Sequence, residues 1–327
     1  MKAILVEQLG GPEALTLQDV SSPREPGPGQ AVVRVAVAGV NFMDVGHRRG
    51  TYPHEVPFIP GAEGAGIVES VGQGVTCVKV SDRVAFGGQK GAYAERILAD
   101  ASQLIPLPDD FTFEQGAAFP VQGLTAQYVI HEFRKPKPGD FVLIHAAAGG
   151  VGGLLTQWAR HLGAVVIGTV SNEAKARTAK EFGAQYTILY TDQDFVTETQ
   201  RITSGHGADI ILDSVGRETS AKNLDAVAVR GHIIVFGASS GNPEPIPTYS
   251  LIRRSISLCG ASLAQMRSRE ELLQRAGPVI AGIREGWLRL NVSQVLPMEL
   301  ADEAHRMIES RRSQGKVLLS IDQTVGR

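Results

Sequence analysis

Apolar residues follow two rhythms along this chain. Between residues 140 and 262, short runs that are apolar almost throughout alternate with stretches whose apolar positions recur every three to four residues. The short runs are Phe141 to His145, Val165 to Val170, Thr187 to Tyr190, Ala208 to Asp213, Gly231 to Gly237 and Ser255 to Ser262. Such runs predict strands buried on both faces. After the first of them, Val151, Leu154, Leu155, Trp158 and Leu162 fall on one helical face, and Gly163 supplies a left-handed stop. A second helix starts near Ser171 or Asn172, both suitable N-caps, and stops at Gly183; a third covers about Asp194 to Thr203. Strands and helices in strict alternation, joined by right-handed crossovers, predict an α/β fold built on a doubly wound parallel sheet.

The rest of the chain has another pattern. From Met1 to about Val121 there are few helical periods. Ala31 to Val37 and Ala65 to Val71 are strand-like, and Pro23, Pro26, Gly27, Pro28 and Gly29 punctuate the segment. Met1 to Glu7 reads as an opening strand, too short in its apolar part for a signal peptide. This predicts a mainly β domain. From about Leu263 the chain returns to mixed helix and strand and closes with Lys316 to Ile321. With 327 residues there is material for two cores. There is no internal repeat or long disordered linker.

The strand ending at His145 runs straight into Ala146-Ala147-Ala148-Gly149-Gly150-Val151-Gly152 and a helix. Gly149 lets the backbone approach a pyrophosphate, and Gly152 lets the helix pack closely on the strand. The helix N-terminus offers unpaired N–H groups and a partial positive charge. A dinucleotide in a Rossmann unit is the ligand this turn predicts. Ala147 stands where the G-x-G-x-x-G fingerprint has its first glycine, so the motif draws its weight from the alternation around it.

The end of the second strand bears on which dinucleotide. NAD sites carry an acid there for the ribose hydroxyls, whereas this chain has Val170-Ser171-Asn172, with Lys175 and Arg177 one turn later. An acid would repel the 2′-phosphate of NADP. The Ser171 hydroxyl, the Lys175 ammonium and the phenol of Tyr190 at the next strand end can hydrogen-bond it. Lys175 and Arg177 equally fit ordinary solvated helix charges, and Glu173 weakens the positive field.

Charge and cysteine content narrow the field. With 32 basic and 34 acidic residues and no basic run, there is no electrostatic footprint for nucleic acid or an anionic membrane, and no apolar run approaches a membrane span. A soluble cytoplasmic protein is expected. Cys77 and Cys259 are the only cysteines; they are far apart in sequence and are expected to be small buried apolar residues.

Several stretches then carry a specific resemblance. They are Ala38-Gly39-Val40-Asn41-Phe42-Met43-Asp44, Tyr52-Pro53, Ile59-Pro60-Gly61-Ala62-Glu63-Gly64-Ala65-Gly66, Gly123-Leu124-Thr125-Ala126, His145 to Gly152, Asp213-Ser214-Val215-Gly216 and Ser310 to Lys316. In this order they span nearly the whole chain, which resembles the zinc-independent, zeta-crystallin-like quinone oxidoreductase branch of the medium-chain dehydrogenase/reductase superfamily. The resemblance implies a Rossmann NADP-binding domain over 123–262, flanked by 1–122 and 263–327, which together make a GroES-like catalytic domain. It also implies that Lys175, Tyr190 and Arg311 grip the 2′-phosphate. Thr125, Ala148, Gly149, Gly150, Val151, Gly152, Ser171, Phe236, Gly237 and Ser240 then line the cofactor path.

Against the zinc alcohol dehydrogenases of that superfamily, Asn41 stands where they carry a catalytic Cys and Ala62 where they carry a His. Glu63 remains, but one carboxylate cannot hold a catalytic zinc. His47 and His54 lack a partner at ligand spacing and read as loop residues, and Glu63 reads as a buried carboxylate bonded by backbone. Without a Lewis acid, the acceptor must take hydride readily, as quinones and activated enones do. The resemblance implies hydride transfer from NADPH, with the developing oxyanion met by hydrogen bonds. Asn41 is the residue expected to face nicotinamide and substrate, and Tyr52 is the candidate donor or stacking lid. A turn role for Asn41 and a core role for Tyr52 stay open, as do two other functions: reduction of an enone or enal, and crystallin-like cofactor binding with little turnover. A small-molecule substrate and a homodimer through the strand Ser255 to Ser262 complete the expectations.

Overall fold

The computed structural model describes residues 1–265, 268–310, 315–322, 324 and 325. The chain divides into two compact units. One comprises Met1–Val121, Met266–Gly277 and Leu290–Arg327, the other Gln122–Gln265 and Pro278–Arg289.

The first unit opens with β1 (Lys2–Leu5) paired antiparallel to β2 (Thr16–Asp19). There follow β3 (Gln30–Val40), α1 (Phe42–Arg49), β4 (Glu63–Val71), β5 (Arg83–Gly87), β6 (Arg96–Asp100), β7 (Leu104–Pro106) and α2 (Phe113–Ala118). The second unit holds most of α3 (Pro120–Glu132), then β8 (Phe141–His145), α4 (Gly150–His161), β9 (Val165–Val170), α5 (Glu173–Glu181) and β10 (Tyr186–Leu189). It continues with α6 (Phe195–Ile202), β11 (Ala208–Asp213), α7 (Ser220–Ala226), β12 (Val227–Val235), α8 (Thr248–Arg254) and β13 (Ser257–Gly260). The chain ends with α9 (Arg269–Arg284), β14 (Val292–Pro297), α10 (Ala301–Glu309) and β15 (Lys316–Ser320).

In the second unit the strand order is β10-β9-β8-β11-β12-β13, parallel at every pairing. Numbered within the unit this is 3-2-1-4-5-6, the Rossmann order, which reverses between β8 and β11. Leu143, Ile167, Ile211 and Ile233 form the centre of its core. Their strands pack helices on both faces, which is why the runs carry no polar alternation. In the first unit the sheet runs β14-β15-β3-β4-β5-β7, with β6 paired to β3, around Val33, Val35, Val68, Phe86 and Tyr93.

Several boundaries differ from the expected ones for local reasons. Asn172 is the cap of α5, its Oδ1 accepting the Lys175 N–H at 2.9 Å, and Ser171 stays outside the helix. β10 starts and ends one residue early. β12 begins at Val227 rather than Gly231: Val227-Ala228-Val229 can extend, and Arg230, with φ of 62°, takes up the irregularity in its register. Ser255 is the left-handed C-cap of α8 with φ of 52°, so β13 is confined to Ser257–Gly260. Cys77 and Cys259 are half-buried rather than in the core. No described helix is long and apolar enough to cross a membrane.

Candidate active-site residues

In the second unit, β8 hands over to α4 through a turn in which Ala146 takes a left-handed φ of 53° and Gly149 is the extended N-cap. The Gly149 N–H donates to Ala146 O at 2.8 Å, and the first intrahelical bond is Gly153 N–H to Gly149 O at 2.7 Å. That register leaves the amides of Gly150, Val151 and Gly152 without intrahelical acceptors, at the positive end of a twelve-residue helix. The three glycines are not equivalent. A Cβ on Gly152 would lie 2.2 Å from the Ala146 carbonyl oxygen, so the helix can sit this close only without a side chain there. A Cβ on Gly149 would meet only that oxygen, at 3.1 Å. The turn fits an anionic dinucleotide. Ala148, within the turn, is buried, and Thr125 lies half-buried on α3.

At the carboxyl ends of β9 and β10 the Tyr190 N–H donates to Val170 O at 3.2 Å, which brings Tyr190 beside Ser171. Tyr190 is 45 % exposed and Lys175 sits in the first turn of α5. No carboxylate follows β9 until Glu173. Arg311 lies outside the described residues. Phe236 and Gly237 follow β12, where the Phe236 N–H donates to Asp213 O at 2.9 Å. The Ser240 hydroxyl donates to Val215 O at 2.8 Å and accepts from the Glu218 N–H at 3.1 Å, so it clasps the loop after β12 to the loop after β11. Asp213 explains its own motif. Its carboxylate accepts from the Val215 N–H at 2.7 Å, the Gly216 N–H at 3.2 Å, the Thr219 hydroxyl at 2.7 Å and Asn223 Nδ2 at 2.7 Å. Buried His145 bonds Asn223 Oδ1 and the Thr169 hydroxyl, and burial lowers its pKa.

In the first unit, Asn41 caps α1 and is 8 % exposed. Its Nδ2 donates to Glu63 Oε1 at 2.7 Å, its Oδ1 accepts from Lys316 Nζ at 2.8 Å, and its N–H donates to Asp44 Oδ2 at 2.8 Å. Glu63 is fully buried. It accepts from the Val121 N–H at 2.7 Å, as expected of a backbone-bonded carboxylate, and in addition pairs with the Lys316 ammonium. A side chain at Gly39 would strike Glu63 Oε1 at 2.5 Å, so β3 leaves room for this pair. Tyr52 is 47 % exposed, which removes the core-aromatic reading, and its ring lies edge-on to His47 at 5.9 Å. His47 stacks on His54 at 5.0 Å. Among the described residues no three His, Cys, Asp or Glu side chains are grouped to hold a metal ion.

Asp44, Tyr93, His305 and Lys316 were not identified from sequence as part of this cluster. Arg48 NH1 lies 3.3 Å from His305 Nδ1, His305 Nε2 lies 3.2 Å from Tyr93 Oη, and the Tyr93 hydroxyl donates to Asp44 Oδ2 at 3.4 Å. Arginine can only donate, so Nδ1 accepts and a neutral His305 carries its proton on Nε2. The chain of donors therefore points one way, from Arg48 to Asp44. Burial, then Arg48, lowers the His305 pKa to about 3, and burial raises that of Asp44 despite its donors.

The His305 shift has a consequence for stability. Between pH 6.5 and about 3 the unfolded chain holds a proton on this residue that the folded chain does not, so its contribution is lost on acidification. Asp44 acts in the opposite sense, so a difference measurement is needed. From pH 7 to pH 5 wild type should lose about 2 kcal/mol relative to His305→Gln, from 1.36 kcal/mol per pH unit. Urea unfolding of both proteins at the two pH values checks this; parallel losses would contradict it.

Comparison with known proteins places this geometry. The family described as zinc-binding dehydrogenase matches residues 150–277, and the alcohol dehydrogenase GroES-like domain matches residues 27–109. A 2-haloacrylate reductase from Burkholderia sp. is 39 % identical over 328 residues, covering 97 % of this chain and 98 % of its own. A quinone oxidoreductase from Pseudomonas aeruginosa is 39 % identical over 324 residues, covering 97 % and 99 %. The crystal structure of Escherichia coli quinone oxidoreductase complexed with NADPH superposes with a TM-score of 0.94 at 36 % identity, covering 98 % of this chain and 100 % of that one. With its Rossmann sheet, its GroES-like domain and relatives matched from end to end, the chain belongs to the zinc-independent quinone oxidoreductase branch of the medium-chain dehydrogenase/reductase superfamily.

Proposed function

We propose that the protein is an NADPH-dependent reductase of quinones that works without zinc. The observation that carries this reading is the pairing of an open helix N-terminus at Gly150–Gly152 with a second-strand end that offers Ser171 and Lys175 in place of an acid, beside Tyr190 at the end of the next strand. The quinone oxidoreductase relatives, one of them complexed with NADPH, support it.

NADPH, when bound, supplies a hydride. The amides of Gly150, Val151 and Gly152 hold its pyrophosphate, with Gly149 leaving the approach clear. Ser171, Lys175 and Tyr190 hold its 2′-phosphate, and Thr125, Ala148, Phe236, Gly237 and Ser240 line its path. Asn41 offers an amide that hydrogen-bonds the acceptor oxygen on which charge develops, and Tyr52, eleven residues further along and exposed, covers a flat acceptor. A quinone already accepts hydride readily, so hydrogen bonds suffice where a less reactive carbonyl would need a metal. Cytoplasmic location belongs to the same reading and is supported by the two unpaired cysteines.

A second reading, reduction of an activated carbon–carbon double bond, is favoured by the 2-haloacrylate reductase relative. NADPH consumption against a panel of quinones, enals and haloacrylates separates the two. Turnover confined to quinones supports the first reading, turnover confined to the alkenes supports the second, and NADPH binding without turnover on any acceptor removes both.

The edge strand β13 adds an assembly. Leu258 on it, and Val229, Tyr249 and Ile252 on the neighbouring β12 and α8, are 38 %, 64 %, 69 % and 69 % exposed. An apolar unpaired edge favours pairing with its own copy about a two-fold axis. Light scattering at micromolar concentration should give the mass of a homodimer; a monodisperse monomer would refute it.

A further inference from the structure

The Asn41 amide is held at both ends by buried ionic groups. Lys316 opens β15, and the antiparallel register that sets Val317 against Val40 places Lys316 opposite Asn41. Its ammonium is 2 % exposed and donates to Asn41 Oδ1 and to Glu63, while Glu63 in turn accepts from Asn41 Nδ2. An ammonium can only donate and an ionised carboxylate can only accept. Turning the amide over would set NH₂ against the ammonium and the carbonyl against the carboxylate, so one orientation alone is satisfied. In that orientation one Nδ2 proton goes to Glu63 and the other has no acceptor among the described residues. A bond from a cation to the amide oxygen also withdraws electrons from the nitrogen, which makes the remaining N–H a stronger donor.

We propose that Lys316 is a positioning residue for reduction of the acceptor: through Glu63 and Asn41 Oδ1 it locks and polarises the Asn41 amide so that its remaining N–H is presented to the acceptor oxygen. This rests on the reading that Asn41 faces the acceptor. A structural role alone, with the ion pair merely tying β15 to β4, makes a different prediction for variant kinetics.

Lys316→Met by itself leaves Glu63 charged and buried, so the working variant is Lys316→Met with Glu63→Gln, which removes both charges. Its NADPH dissociation constant should stay within about 2-fold of wild type. Its kcat for a quinone should fall on the order of 10 to 100 fold with little change in KM, since the lost interaction strengthens as charge develops. The triple variant that adds Asn41→Ala should be no slower than Asn41→Ala alone, because Lys316 acts only through that amide. Losses that multiply, or a double variant at wild-type kcat when Asn41→Ala alone is slow, would overturn the role of Lys316. Wild-type kcat in Asn41→Ala alone would instead remove the reading beneath it, and the proposal with it. Hydrogen exchange of the unmodified, cofactor-free protein gives a check that needs no variant. The two Asn41 Nδ2 protons should exchange at rates differing at least 10-fold, and equal rates would overturn the lock.

Discussion

Gly149→Val should bind neither NADPH nor NADH measurably, with a loss of roughly 100-fold or more for both, while the protein still folds. A Cβ at this position meets one carbonyl oxygen at 3.1 Å, a far milder contact than the 2.2 Å at Gly152, so the sheet and α4 should remain in place. On the proposed reading the valine obstructs the approach of a pyrophosphate to the amides of Gly150, Val151 and Gly152. Both cofactors carry that group, so both are lost together. Titration calorimetry with each, alongside circular dichroism, decides the matter. A folded variant with undiminished binding would place the cofactor elsewhere.

The second large effect separates binding from choice. Lys175→Ala should weaken NADPH on the order of 10 to 100 fold, from the roughly 1.5 to 3 kcal/mol of a hydrogen bond to a charged group. NADH has no 2′-phosphate and should be held as before. Tyr190→Phe should act in the same direction but less, since a phenol gives a neutral donor, and the two changes should be partly non-additive because they share one phosphate. Dissociation constants for both cofactors at one fixed salt concentration give the answer. Equal weakening of the two, or of neither, would make Lys175 a surface charge.

How much of this was legible beforehand depended on how local the signal was. β9 and β11 lie where the apolar runs put them, because a strand buried on both faces and bounded by turns carries its whole signature in its own six residues. The helix stops at Gly163 and Gly183 were legible for the same reason, with φ of 87° and 105°. α8 was not, since none of its residues is buried and it shows no periodic stripe after the proline-rich loop. The glycine turn was legible as a strand-to-helix turn, and the close packing expected of Gly152 is there, since no side chain fits at that position. Around Asn41 the sequence pointed to two members of a cluster, Asn41 itself and the buried Glu63. Lys316 and His305 come from more than 250 positions away and meet Asn41 and Arg48 only through the fold. The one available hint was a charged residue opening the apolar strand Val317-Leu318-Leu319. Asp44 lay nearer to hand, three residues after a cap, where an acid bonding the cap N–H is common.

The claim at the centre of this account is that the chain moves reducing equivalents from NADPH to a quinone without a metal. Consumption of NADPH on addition of a quinone, followed by absorbance after exhaustive chelation and metal analysis of the protein, tests it most directly. Turnover should continue at the unchelated rate with no stoichiometric zinc in the sample, whereas turnover that stops on chelation and returns with added zinc, or that occurs with no quinone at all, would contradict it.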